Sequence, residues 1–190
     1  MRKQTVIAVT VLLLLFATGQ FALADTIDFE TFTDGDTVNT QFSGVTFGGD
    51  PVALTAGLSL NEFDFPPASG FNVIFDANGP ITVTFTGSVT DVSAYLTYTA
   101  ASTLQIFDSS NNLVGTYNSL SISNVGSNEL FSVSYAGGID HAVFSGDPAG
   151  GSFTLDDLSF SAGTVPSVPE PASLLLLATG AVLLMKKVRR

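Results

Sequence analysis

Two short stretches place carboxylates where they could act together. In TIDFE, residues 26–30, strand alternation puts Thr26, Asp28 and Glu30 on one face and Ile27 and Phe29 on the other. In SFTLDDLSF, residues 152–160, the apolar positions Phe153 and Leu155 are odd-numbered but Leu158 and Phe160 are even, so the face switches between Asp156 and Asp157. A β-bulge there keeps both apolar pairs inward and sets the neighbouring carboxylates to one side. If these two strands lie side by side, Asp28, Glu30, Asp156 and Asp157 converge. Their counter-charge is the open question. The chain has 6 Lys and Arg against 17 Asp and Glu, and every base sits at an end: Arg2, Lys3, Lys186, Lys187, Arg189 and Arg190. Each carboxylate in between must be solvated, bonded to backbone N–H, or matched by a cation. A hard cation that takes six to eight oxygen ligands, Ca²⁺, is the natural partner. The plain alternative is a set of solvated carboxylates that keep a sheet edge from pairing.

Other chemistry is thinner. His141, the only histidine, lies in GIDHAVFSG beside Asp140 and near Ser145, but on a regular strand Asp140 and His141 face opposite ways, which argues against a Ser/His/Asp site. No spacing singles out a glycosidase-type carboxylate pair. With no cysteine and one histidine, thiol nucleophiles, disulfides and Cys- or multi-His zinc sites are excluded. A surface this anionic repels nucleic acid. Asp34-Gly35-Asp36 lacks the rest of an EF-hand spacing and reads as a polar turn. NEFDFPPASG, residues 61–70, reads as a long loop whose phenylalanines form the lip of a binding face or plug the end of the fold.

The elements that position these groups have period two. ITVTFTG (81–87) sets Ile81, Val83 and Phe85 against three threonines, and ELFSVSY (129–135) alternates in the same way. TIDFE, FNVIF, SAYLTYT, TLQIFD, LVGTY, HAVFSG and SFTLDDLSF are further strands, separated by Gly, Asn, Asp and Pro clusters. About ten short strands with no helical period between the ends predict an all-β, antiparallel, jelly-roll-like β-sandwich. The first and last strands of such folds are often neighbours. Of 16 phenylalanines all but Phe16 and Phe21 fall in this region and supply its core.

The ends are not part of that core. Residues 1–24 read as a signal peptide: Arg2 and Lys3, an apolar run from Val6 to Ala17, then Ala22-Leu23-Ala24 with cleavage between Ala24 and Asp25. Residues 25–161 are the domain, and 162–171 a Pro-rich linker. Residues 172–185 form an apolar segment without a charge, and 186–190 a basic tail. A helix over 172–185 covers ~21 Å, short of the ~30 Å hydrocarbon core, so it spans with strain and leaves the basic tail cytoplasmic.

Val168-Pro169-Glu170-Pro171-Ala172, the apolar segment and the basic tail together resemble the PEP-CTERM sorting signal of Gram-negative bacteria. That resemblance implies recognition by an exosortase-type membrane protease that cuts near Pro169, Glu170 and Pro171. It also implies a protein held at the inner membrane and then delivered to the cell surface or outside, often with exopolysaccharide and biofilm matrix. The four converging carboxylates resemble the structural calcium site of galactose-binding-like and carbohydrate-binding jelly rolls. The likeness implies Asp28, Glu30 and Asp156 as ligands, with Asp157 substituting for Asp156. The expected function is a structural or adhesive, non-catalytic surface protein stabilised by calcium; the alternative is a carbohydrate-binding module engaging exopolysaccharide. The absence of Trp weakens the alternative, although Tyr95, Tyr98, Tyr117 and Tyr135 remain.

Overall fold

The computed structural model describes residues 24–120 and 126–162. The signal peptide through residue 23, the linker beyond 162, the Pro169-Glu170-Pro171 motif, the apolar segment and the basic tail lie outside the described residues. Among the described residues no helix is long and apolar enough to cross a membrane.

Nine strands form in chain order: β1 Ala24–Ile27, β2 Val45–Gly48, β3 Val52–Thr55, β4 Asn72–Phe75, β5 Ile81–Tyr98, β6 Thr103–Phe107, β7 Leu113–Asn118, β8 Gly126–Ser145 and β9 Phe153–Ala162. The pairings between these strands are antiparallel. Two strands are long where several short ones were expected. ITVTFTG and SAYLTYT are one 18-residue strand, β5, and ELFSVSY and HAVFSG belong to the 20-residue β8. The chain does not turn between these segments; it shifts register instead, from Thr84 to Val89 in β5 opposite His141 to Ile139 in β8. Gly87 lies in the shifted part of β5, and Gly138, with φ 98°, admits the irregularity in β8.

The first half of β5 pairs with β2 and with the end of β8, which continues through β6 to β7. The second half of β5 pairs with the start of β8 and with β9, which carries β4 and β1 along its far side. Strands that run through both layers make a sandwich whose hydrogen bonding is continuous. Inward residues from both layers fill one core. Ile81, Val83, Val92, Leu96, Phe131, Phe144, Phe153, Leu155 and Leu158 are fully buried in it. Phe29, Phe32, Phe42 and Phe47 add a cluster of edge-to-face rings 5.5–6.2 Å apart.

Sheet edges are sealed without charge. The edge of β3 is met by the chain after β1, through Gly35 N–H to Ala53 O and Ala53 N–H to Asp36 O, both 2.8 Å. β7, which carries no charged residue, folds against the start of β8: the Tyr117 ring lies 4.8 Å from that of Phe131, and its hydroxyl donates to Glu129. β2 and β3, four residues each, were not foreseen.

Asp76, just past β4, is 0% exposed. It accepts from Ser152 N–H, the Ser152 hydroxyl and Phe153 N–H at 2.8–3.1 Å, joining β4 to the start of β9. Removing the carboxylate strands two buried N–H groups, each costing about 1–3 kcal/mol. Asp76→Ala is therefore expected to lose roughly 2–5 kcal/mol in urea unfolding; a loss within 0.5 kcal/mol, the usual range for surface substitutions, would contradict this role.

Candidate functional site

The expected bulge in SFTLDDLSF is present. Ser93 pairs with Ser159 and Tyr95 with Asp156, so β9 spends one residue more than β5, and Asp157 takes up the excess at φ 48°. Phe153, Leu155, Leu158 and Phe160 are all buried in consequence. β1 pairs with β9, as expected for first and last strands.

Beside this bulge lies a strap, residues 61–71, held to β9 through Ala68 and Ser69 and to β8 through Pro67. Asp156 Oδ2 accepts the N–H groups of Ala68 and Ser69 at 2.8 and 2.9 Å, and its Oδ1 accepts Asp157 N–H. The Ser69 hydroxyl donates to Asp157 at 2.8 Å. Glu30 Oε1 accepts Phe71 N–H and Asn72 N–H at 2.9 and 2.8 Å, while Gly70 leaves no room for a Cβ against that carboxyl. Asn72 completes the anchor, donating to the carbonyls of Phe29 and Phe32 and accepting from Thr55. Asn128, on β8, donates to Pro67 O. Asp28 stays exposed and accepts Glu30 N–H.

Three of the four expected calcium ligands therefore do gather around one stretch, residues 68–72. They hold it by backbone N–H and hydroxyl donors, so that the chain itself supplies the partial positive charge that basic side chains do not. Asp28 stands apart. Among the described residues, no group of three or more carboxylates or histidines is placed to hold a metal ion. The arrangement thus does not fit a calcium cage, because the oxygens of Glu30 and Asp156 are turned to the strap. Unfolding temperatures in millimolar Ca²⁺ and in EDTA are expected to coincide, and a clearly higher midpoint in Ca²⁺ would reinstate the metal.

Asp156 is only 2% exposed. Burial pushes its carboxyl up to about 6, the Asp157 charge adds to the rise, and N–H bonds from Ser69, Asp157 and Ala68 pull it back. Burial also raises Asp76. A carboxyl whose folded value lies above its unfolded one contributes stability that is complete below about 3.8 and lost as pH rises through about 6. Asp34 and Asp108, lowered by hydrogen bonds from Ser59 and from Asn112, contribute stability that is present above the ordinary carboxylate range and lost as pH falls below it.

Elsewhere two expectations change. Asp140 and His141 do pair, Nδ1 to Oδ2 at 3.0 Å, because the register shift lets Ile139 and Ala142 both face the core and leaves the two residues between them outside. The imidazole stacks on Phe107 at 4.8 Å, and Ser145 sits four residues further along the strand. Of the two loop phenylalanines, Phe63 is 91% exposed and does not plug the fold, while Phe65 is half-buried. Sequence reasoning missed Asp76, Asn72 and Glu129. Glu129 accepts the hydroxyls of Tyr98 and Tyr117, and burial with that bond raises the Tyr117 phenol. Asp76 opens the turn signal DANG, the one hint it offered.

Residues 167–190 match the PEP-CTERM protein-sorting motif. No curated protein matches the chain in sequence. Among solved structures it is similar to a family 29 carbohydrate-binding module from Piromyces equi, with 14% identity and a TM-score of 0.43 over 76% of this chain and 93% of that one. It is also similar to a family 6 carbohydrate-binding module, with 20% identity and a TM-score of 0.35 over 73% of this chain and 93% of that one. A third similar structure is the K3 cleaved adhesin domain of Lys-gingipain from Porphyromonas gingivalis, with 16% identity and a TM-score of 0.30 over 78% of this chain and 95% of that one. With TM-scores this low, these likenesses carry no ligand or site across.

The titration of Asp156 has a measurable consequence. The urea midpoint is expected to fall as pH rises from 5 to 7.5, and Asp156→Asn to flatten that dependence. A midpoint constant or rising over this range would contradict the assignment.

Proposed function

We propose, from the PEP-CTERM sorting motif that residues 167–190 carry, that the chain is exported and tethered at the membrane by its C-terminal segment. An exosortase-type protease then cuts near Pro169-Glu170-Pro171, and the β-sandwich works at the cell surface or in the extracellular matrix. Its role there is structural or adhesive and not catalytic.

The observation that supports this reading is the division of the molecule. The sorting segment holds four of the six basic residues, and the domain before it holds none. Among the described residues the core is closed by β1 against β9. Ser and Thr are the commonest residues at its outward strand positions, giving a water-facing surface that is polar without cationic side chains. The Asp140–His141 pair lies against Phe107 on an outer sheet face, a setting that suits packing better than proton transfer.

Mass spectrometry of the mature protein from its host tests the proposal. The expected species begins at Asp25 and lacks the residues after the Pro169-Glu170-Pro171 motif. A mature protein still ending at Arg190 would overturn processing, and a hydrolase activity abolished by His141→Ala would overturn the non-catalytic role.

A further inference from the structure

We infer that the outer face of β1, β9, β5 and β8 is a docking floor for an uncharged polysaccharide, a partner that rests on the export reading above. The pairings set Thr26 beside Ser159, Ser159 beside Ser93, and Ser93 beside Ser132. Four hydroxyls thus cross four strands in one transverse row, ~14 Å long at the usual strand spacing. On one side of this row Asp91 pairs with Ser161 and Ser134; on the other Tyr95 pairs with Leu130. All these side chains are exposed or half-buried.

The row is only partly satisfied from within. Thr26 and Ser159 bond each other at 2.8 Å, and Ser161 donates to Asp91 at 2.9 Å. The hydroxyls of Ser93, Ser132, Ser134 and Tyr95 have no hydrogen-bond partner among the described residues. The strap bounds the Tyr95 end of the floor, because Tyr95 pairs with Asp156, whose carboxylate holds Ala68 and Ser69. Tyr95 and Leu130 therefore stand at the foot of a wall.

The chemistry of this floor selects its occupant. Free hydroxyls both donate and accept, as sugar hydroxyls do, and the phenol ring with Leu130 offers an apolar step for the C–H face of a pyranose. Asp28, Asp91 and Asp157 flank the floor with no Lys or Arg in residues 25–161, so uronate or sulfate groups are repelled. A protein partner would need a larger apolar centre than one tyrosine and one leucine.

Affinity electrophoresis of the mature protein tests the assignment, with galactomannan or hydroxyethylcellulose as neutral probes and alginate as the anionic one. Retardation is expected in at least one neutral gel and not in alginate. Tyr95→Ala and the double variant Ser93→Ala/Ser132→Ala should each weaken it roughly three- to tenfold, while Thr84→Ala, on the other layer, should leave it unchanged. If Tyr95→Ala loses cooperative unfolding, the double variant decides. Absence of retardation in both neutral gels, equal retardation in alginate, or retardation insensitive to the floor variants would overturn the floor. Processing, read separately by mass, would stand or fall on its own.

Discussion

Between Ala24 and Ala162 the protein carries carboxylates and not one lysine or arginine, and this single deficit governs how its parts are joined. A buried carboxylate without a counter-ion persists only if donors satisfy its oxygens. Here the donors are backbone N–H groups and Ser or Tyr hydroxyls. Asp76 joins β4 to β9, Glu30 and Asp156 fasten the strap, and Glu129 on β8 accepts from Tyr117 of β7 and Tyr98 of β5. Each link connects segments far apart in sequence. Hydrogen bonds to charged acceptors are about twice as strong as neutral ones, so such links can take the place that ion pairs or disulfides fill in other exported domains.

The same links fix the surface. The strap is held at residues 67–72 over Asp156, while the outer sheet from Tyr95 to Asp91 stays half-buried or exposed at alternate positions. The bulge at Asp157 is needed for this, since it alone allows Leu155 and Leu158 to face the core while Asp156 turns to the strap. The open part of the face is a lattice of hydroxyls set by strand register. A one-residue slip of β9 would send Ser159 inward and Phe160 outward. The core pattern therefore also dictates what the surface displays.

Much of this was legible in the residues. Alternation located β4 to β9, and the switch from odd to even apolar positions located the bulge. β1 ends at Ile27, before the expected Asp28–Glu30 half of TIDFE, because Phe29 turns to φ 59°. The charge partition identified the missing cations of the stretch between the ends. What it left open was which of three fates each carboxylate meets, because that depends on where a distant N–H arrives. Glu30 lies 41 residues from Phe71 in sequence, and no local pattern joins them. The continuity of β5 and β8 was hidden for a related reason: Gly87 and Gly137-Gly138 read as turns, yet within paired strands they permit a register shift. That shift also placed Asp140 and His141 on one side.

The central claim is that backbone amides replace cations as partners of the buried carboxylates. Amide hydrogen exchange at Ala68, Ser69, Phe71, Asn72, Ser152 and Phe153 reads it directly. The account predicts that these amides, although four of them lie in or beside a surface strap, exchange far more slowly than the strap's unbonded amides, and that Asp156→Ala releases Ala68 and Ser69 alone. Fast exchange at all six in the native protein would contradict it.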